Sequence, residues 1–120
     1  MKKILLTLLL ASSSIYMSTL TNSFAQDGQE NNSKNEFIVQ IKGHKFVPDK
    51  IEAKADQGFK LIIENLDNTI EEFESDDLKK EKLVGAGKKI TINIQPLKAG
   101  EYKFYGDFHQ KTAQGKIIIK

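Results

Sequence analysis

One imidazole and one carboxylate, His109 and Asp107, lie two residues apart in a short polar segment, residues 106–114. An imidazole nitrogen and a carboxylate oxygen can both bind divalent metal ions, and an imidazole can also take up a proton. Residues 101–105 alternate polar and aromatic side chains, and residues 116–120 are rich in isoleucine, so both flanks are predicted to be strands. The segment is therefore predicted to be a metal-binding or catalytic loop between two strands. The alternative is a surface loop whose histidine binds nothing.

A second acidic stretch, residues 69–75, contains Glu71, Glu72 and Glu74 around a single Phe73. If Phe73 points into a core, alternation puts Glu72 and Glu74 on the opposite face. The pattern by itself favours a solvated strand edge, where acidic side chains prevent pairing with another sheet. A slip of one residue in register exchanges Glu71 and Glu72, so the sequence leaves open which of them points inward.

The elements that must position these residues are short strands. Alternating apolar residues predict strands near residues 37–41, 51–53, 59–63 and 90–94, separated by clusters of glycine, proline, asparagine and aspartate. Residues 76–83 are predicted to form one helical turn or a short edge strand, with Leu78 and Leu83 buried. Turn signals every 8–12 residues or so indicate an all-β protein, an antiparallel sandwich or barrel.

The first 25 residues have the pattern of a secretory signal peptide. Lys2 and Lys3 precede a short apolar run, and Ser23-Phe24-Ala25 supplies small residues for cleavage. The run is too short and too interrupted for a transmembrane anchor. Residues 26–35 are polar and are predicted to be a disordered leader, so residues 36–120 form the single predicted domain. We expect the protein to be periplasmic or otherwise secreted, with no membrane insertion after cleavage.

Composition excludes several kinds of function. The chain has no cysteine, which rules out a thiolate ligand and a redox disulfide. Without Lys2 and Lys3 the 18 basic residues become 16, equal to the 16 acidic residues, and none of them is arginine. Nucleic-acid-binding proteins usually have a basic excess and use arginine for base contacts, so no nucleic-acid partner is expected.

The C-terminal residues resemble the closing hairpin of cupredoxins. The sequence Tyr-Lys-Phe-Tyr-Gly-Asp-Phe-His, residues 102–109, is followed by Gly-Lys and a β-branched strand. In blue-copper members the position of Gly106 is a cysteine and that of His109 is a histidine, while Ala113 or Gln114 falls where the weak axial ligand lies. The resemblance extends over residues 36–120 and implies a Greek-key β-sandwich. The chain looks most like the cysteine-less cupredoxin-like proteins of bacterial periplasmic iron uptake, the FtrB-type proteins and the cupredoxin domain of EfeO-type proteins.

The resemblance also implies a set of metal ligands. Glu72, with Glu71 or Glu74, falls at the first-ligand position, where cupredoxins have a histidine, and His109 is the retained imidazole. Asp107 is expected to bind the ion or to orient His109. Two weaker candidates are Gln114, as an axial oxygen donor, and His44, which follows Gly43 and could instead cap a strand or lie near the other pole.

Carboxylates with one imidazole suit Cu(II), Fe(III), Mn(II) or Zn(II) better than Cu(I). The sequence therefore supports three hypotheses. In the first, which the resemblance implies, the protein is a copper- or iron-binding accessory of metal uptake, with a membrane iron permease or a periplasmic protein as its partner. Alternatively, it is an oxidase that acts on ferrous iron with bound copper. The third hypothesis is a metal-free β-sandwich module whose acidic edge binds a partner protein.

Overall fold

The computed structural model describes residues 35–120, so the predicted signal peptide and all but the last residue of the predicted leader lie outside the described residues. The described elements are β1 Glu36–Ile41, β2 Phe46–Val47, β3 Lys50–Ala53, β4 Phe59–Asn65, β5 Glu71–Ser75, β6 Lys80–Val84, β7 Lys89–Ile94, β8 Gly100–Gly106, a 3-10 helix Asp107–His109 and β9 Gln114–Ile119.

The strands form two sheets, with the orders β2-β1-β4-β7 and β3-β9-β8-β5-β6. The predicted all-β sandwich is confirmed. Two of the pairings, β1 with β4 and β3 with β9, are parallel, so both sheets are mixed where the sequence pattern predicts antiparallel pairing. Neither parallel pair is adjacent in sequence, and periodicity carries no information about strand direction.

Apolar side chains from alternate positions of the strands fill the space between the sheets. In β4, Phe59, Leu61 and Ile63 are buried while the residues between them are not. Phe104 on β8 packs against Phe46 and Phe73, with ring centroids 4.9 and 5.3 Å away. Burying one such ring contributes about 1.5–3 kcal/mol. These contacts fix β2, β5 and β8 relative to one another.

The charged residues 76–83 end in an edge strand, β6, which was one of the two predicted alternatives. Leu78 is partly buried against the core, as expected. The prediction for Leu83 is wrong, because it is 52% exposed on β6. Among residues 35–120, no helix has the length and apolar character needed to cross a membrane.

The strand pairings bring three loops to one end of the sandwich. Parallel β1 and β4 pair Ile41 with Asn65, so the turns after both strands leave the sheet side by side. Antiparallel β5 and β8 pair Phe73 with Gly106, so the start of β5 extends past the end of β8 toward the loop that follows it. The turn after β1, the loop between β4 and β5, and the loop between β8 and β9 therefore meet.

Candidate metal centre

The carboxylate of Glu71 is the most deeply buried charged group at this end of the sandwich. Glu71 is the first residue of β5 and is 1% exposed. Its Oε1 accepts hydrogen bonds from the backbone N–H groups of Glu72, at 2.9 Å, and Phe108, at 3.0 Å. Its Oε2 lies 2.6 Å from Nδ1 of His109. The expectation that all three glutamates line a solvated strand edge is wrong for Glu71, since β5 is flanked by β6 and β8.

Gly106 makes room for this carboxylate. A Cβ atom at residue 106 would lie 2.7 Å from both Cδ of Glu71 and Cβ of Ala113, and 2.9 Å from Oε2 of Glu71. Both neighbours are buried. The Glu71 carboxylate thus fills the space into which a side chain at residue 106 would project, which is where the sequence resemblance puts a cysteine.

His109 is held by the short 3-10 helix that follows β8. Its carbonyl oxygen accepts hydrogen bonds from the backbone N–H groups of Thr112, at 3.1 Å, and Ala113, at 2.8 Å, which close the turn. Its side chain is 28% exposed. The imidazole therefore has one edge against the buried Glu71 carboxylate while part of its surface is open to solvent.

A second imidazole, His44, stacks on His109, with ring centroids 3.6 Å apart and an interplanar angle of 15°. His44 has a φ of 57° and Gly43 a φ of 58°, in the left-handed region. The backbone N–H groups of Gly43, at 2.8 Å, and His44, at 2.9 Å, donate hydrogen bonds to the Asp67 carboxylate. The backbone N–H of Asp67 donates in turn to Oδ1 of Asn65, at 3.0 Å. The structure thus brings His44, a weaker sequence candidate, into contact with His109.

These contacts lower the pKa of the Asp67 carboxyl group. The hydrogen bond from the His44 N–H is the main cause, and burial opposes it. The Gly43 N–H and electrostatic interactions with the imidazoles of His44 and His109 lower the pKa further. Asp67 is therefore an anion at neutral pH that anchors the turn carrying His44.

The other three acidic candidates, Glu72, Glu74 and Asp107, form a separate cluster. Carboxylate oxygens of the three lie within 4.8 Å of one another. Glu72 and Glu74 alternate with buried residues of β5, so this cluster lies on the face of the strand opposite to Glu71. The pKa of Glu74 is raised by desolvation and by the charges of Asp107 and Glu72, while a hydrogen bond from Tyr105 partly opposes the rise.

The structure therefore divides the predicted ligands into two groups. Of the four carboxylates proposed to surround His109, Glu71 is the one that contacts its ring, while Glu72 lies on the opposite face of β5. Asp107 instead accepts a hydrogen bond from the Gln110 side chain, at 2.7 Å. The exposed Gln114 donates its amide to the carbonyl oxygen of Gln110, at 2.9 Å.

Two contributors to the site, Asp67 and Gly106, were not among the site residues predicted from the sequence. Asp67 lies in a turn cluster where aspartate is common for local reasons. The importance of Gly106 depends on the position of Glu71, 35 residues earlier in the chain. The parallel pairing of β1 with β4 would have pointed to Asp67, because it puts the two following turns at the same sheet edge.

A comparison with family models identifies the class of protein: residues 7–119 match the cupredoxin-like domain family, and the chain belongs to that family. An uncharacterized protein of Rickettsia prowazekii (strain Madrid E) is 43% identical over 107 residues, which cover 88% of this chain and 86% of the relative.

Solved structures of copper proteins have a similar fold. Auracyanin A, a blue copper protein of Chloroflexus aurantiacus, superposes with a TM-score of 0.62 at 12% identity, covering 71% of this chain and 98% of auracyanin. The metal-binding domain of the Cu(I)-exporting ATPase CopA of Streptococcus pneumoniae gives 0.61 at 14% identity, covering 71% and 84%. A reduced amicyanin mutant gives 0.58 at 15% identity, covering 71% and 82%. At these identities the likeness concerns the fold alone.

The donor atoms at this end of the sandwich distinguish a blue-copper centre from a site made of carboxylate and imidazole ligands. A blue-copper centre requires a cysteine thiolate, and the chain has no cysteine. The Glu71 carboxylate also fills the space beside residue 106. An ion bound by carboxylate oxygen and imidazole nitrogen does fit, because Oε1 of Glu71 is engaged by two N–H groups while Oε2 faces the ring of His109.

Proposed function

We propose that the protein binds a divalent metal ion, Cu(II) in preference to others, through the Glu71 carboxylate and the His109 imidazole. The observation that carries this proposal is the 2.6 Å contact between Oε2 of a buried carboxylate and Nδ1 of a partly exposed imidazole. An ion held between these two atoms would require His109 to carry its hydrogen on Nε2, so that the lone pair of Nδ1 is available to the ion. The order of affinities for divalent ions with such donors favours Cu(II).

The donor set also supports a function other than blue-copper electron transfer. Both methionines of the chain, Met1 and Met17, lie within the predicted signal peptide. Residues 26–120 thus offer neither thiolate nor thioether sulfur, the ligands that stabilise Cu(I). Oxygen and nitrogen donors should keep bound copper in the Cu(II) state. The proposed function is therefore ion binding and delivery.

The proposal extends to cellular location and pathway. The basic residues, apolar run and small residues at the N-terminus support export to the periplasm or beyond. The resemblance to FtrB-type and EfeO-type proteins supports a role as an accessory of ferrous iron uptake, in which iron passes to a membrane permease. A carboxylate–imidazole site suits Fe(III) as well as Cu(II), so the same residues could serve either ion.

The decisive experiment is a calorimetric titration of the purified protein with Cu(II), and separately with Fe(III), for three proteins. Wild type should bind one ion saturably. Glu71→Gln, which keeps the size of the side chain and removes its charge, should bind at least about tenfold more weakly. Glu72→Gln is the matched control, since it makes the same change one residue later on the opposite face, and it should bind like wild type. Equal loss in both variants, or no saturable binding by wild type, would refute the proposal.

Two further measurements separate the alternatives. Oxygen uptake with ferrous iron, with and without copper, distinguishes a ferrous iron oxidase from a binding protein. Thermal unfolding distinguishes both from a metal-free interaction module, because an ion that binds only the folded state raises the melting temperature. A melting temperature unchanged by every metal tried would favour the module.

A further inference from the structure

We infer that His44 is a positioning residue for the proposed site: its ring packs face to face on His109 and fixes the plane in which His109 presents a nitrogen to an ion. This inference rests on the proposed function, in which His109 is a ligand. It adds a residue from a different loop that controls the orientation of that ligand. His44 lies in the turn after β1, 65 residues before His109 in the chain.

The first support is the geometry of the contact between the two rings. Their centroids are 3.6 Å apart and the rings are within 15° of parallel. The lone pair of an acceptor ring nitrogen lies in the plane of its ring. Near-parallel rings therefore hold their lone pairs in two separate planes, which does not suit two ligands of one ion. The same arrangement does suit a packing partner, because stacked aromatic rings attract one another beyond the area that they bury.

The second support is that the His109 ring needs contact on its face. Its Nδ1 lies 2.6 Å from Oε2 of Glu71, which fixes one point on the edge of the ring. One contact at the edge leaves the ring free to tilt about that point, and the side chain is partly exposed to solvent. A binding site needs its ligand groups held within about 10–20° of the productive orientation. The His44 ring, lying against the face of His109, opposes this tilt.

The third support is that His44 is itself held in place, at both its backbone and its ring. The backbone N–H groups of Gly43 and His44 donate to the Asp67 carboxylate, which keeps both residues in the left-handed region. Nδ1 of His44 lies 3.5 Å from Oδ2 of the same carboxylate. Such backbone in a residue other than glycine is uncommon and persists where the surroundings enforce it. The side chain of His44 is 42% exposed, so burial of apolar surface does not explain this restraint.

The support for His44 continues through Asp67 into the buried part of the sandwich. The backbone N–H of Asp67 donates to Oδ1 of Asn65, at 3.0 Å. Asn65 is buried at the end of β4, and its side-chain amide donates to two backbone carbonyl oxygens, at 2.8 and 3.1 Å. The Glu71 carboxylate is held separately, by two backbone N–H groups. Loss of the His44 ring should therefore loosen His109 and leave Glu71 in place.

The test compares two substitutions of His44. His44→Phe keeps a ring for the stack and removes both nitrogens, while His44→Asn removes the ring and tolerates the left-handed backbone. In a calorimetric titration with Cu(II), His44→Phe should bind like wild type and His44→Asn at least about tenfold more weakly. Nuclear spin relaxation of the His109 ring carbons measures the motion of that ring without metal. His44→Asn should increase this motion, and His44→Phe should leave it as in wild type.

The possible outcomes are distinct. A His44→Phe protein that loses as much Cu(II) affinity as His44→Asn would show that the nitrogens of His44 matter, and would overturn the inference. Unchanged His109 ring motion in His44→Asn would overturn it as well, and this result needs no folded His44→Phe protein. Both results leave the Glu71–His109 proposal standing, whereas no saturable copper binding by wild type would overturn both. Thermal unfolding without metal shows whether each variant is folded.

Discussion

Adding one methyl group at Gly106 should disturb the centre of the proposed site. In a Gly106→Ala protein the new Cβ would lie 2.7 Å from Cδ of Glu71 and 2.7 Å from Cβ of Ala113. Neither neighbour can move into solvent, since Glu71 is 1% exposed and Ala113 is fully buried. The carboxylate must therefore shift away from its partners, or β8 and β9 must separate.

The size of the effect follows from these two costs. Overpacking a closely packed interior costs about 1–3 kcal/mol. A hydrogen bond to a charged group contributes about 1.5–3 kcal/mol, and a displaced Glu71 carboxylate would weaken those from Glu72, Phe108 and His109. We expect the free energy of unfolding to fall by about 3 kcal/mol. With an m-value of about 1 kcal/mol/M, the urea midpoint should fall by about 3 M.

Urea unfolding without metal, followed by circular dichroism, measures this difference. Gly85→Ala is the matched control, because its Cβ would meet the flexible, exposed side chain of Lys88 at 3.2 Å. It should change stability by less than about 0.5 kcal/mol. In a Glu71→Ala background, Gly106→Ala should cost less than in wild type, since the two sites are in contact. A Gly106→Ala protein as stable as the control would refute the described packing of Glu71.

Three other predictions concern residues at this end of the sandwich. Gly106→Cys should not produce the intense blue absorption of a copper thiolate, because Glu71 fills the space beside residue 106; a strong visible band on adding Cu(II) would contradict this. Asp67→Asn should lower the melting temperature at pH 7. Because folding lowers the pKa of the Asp67 carboxyl group below 3.8, wild type loses this stabilisation as the pH falls below 3.8. The difference in melting temperature between the variant and wild type should therefore shrink at such pH values, and a pH-independent difference would contradict this prediction. Glu74→Gln should raise the melting temperature at pH 7, because a carboxyl group whose pKa is raised by folding favours unfolding when it is ionised. The gain should vanish below about pH 4, where Glu74 is protonated. A lower melting temperature at pH 7 would contradict the unfavourable effect of desolvation and of the Asp107 and Glu72 charges on Glu74.

Local patterns were enough to predict most of the strands and the sandwich, but not the two-residue strand β2. Alternation of apolar residues gave β4 and β7 because one face of each strand is buried, and burial leaves a period of two in the sequence. The loop carrying His109 was predicted for the same reason, since both flanking strands have that period. The assignment of Glu71, Glu72 or Glu74 to the first-ligand position came from the resemblance to cupredoxins and not from this period.

The remaining features depend on strand pairing, which the sequence pattern does not encode. The sequence alone left open whether His44 lies at the same end of the sandwich as His109 or at the other end. The parallel β1–β4 pair places its turn beside Asp67 and therefore beside His109. Which of Glu71 and Glu72 points inward likewise depends on register: Glu71 lies opposite the buried Val84 of β6, while Glu72 lies opposite the exposed Leu83.

The two edge strands of the five-stranded sheet have a consequence for how the molecule behaves at high concentration. β6 carries Lys80, Glu81 and Lys82 along its length, and β3, at the other side of the same sheet, carries exposed Lys50 and Glu52. A second copy that tried to extend this sheet would have to bring alternating charges into register and strip them of water. Concentrated protein should therefore remain monodisperse and resist growth into fibrils, even though no disulfide cross-links the chain.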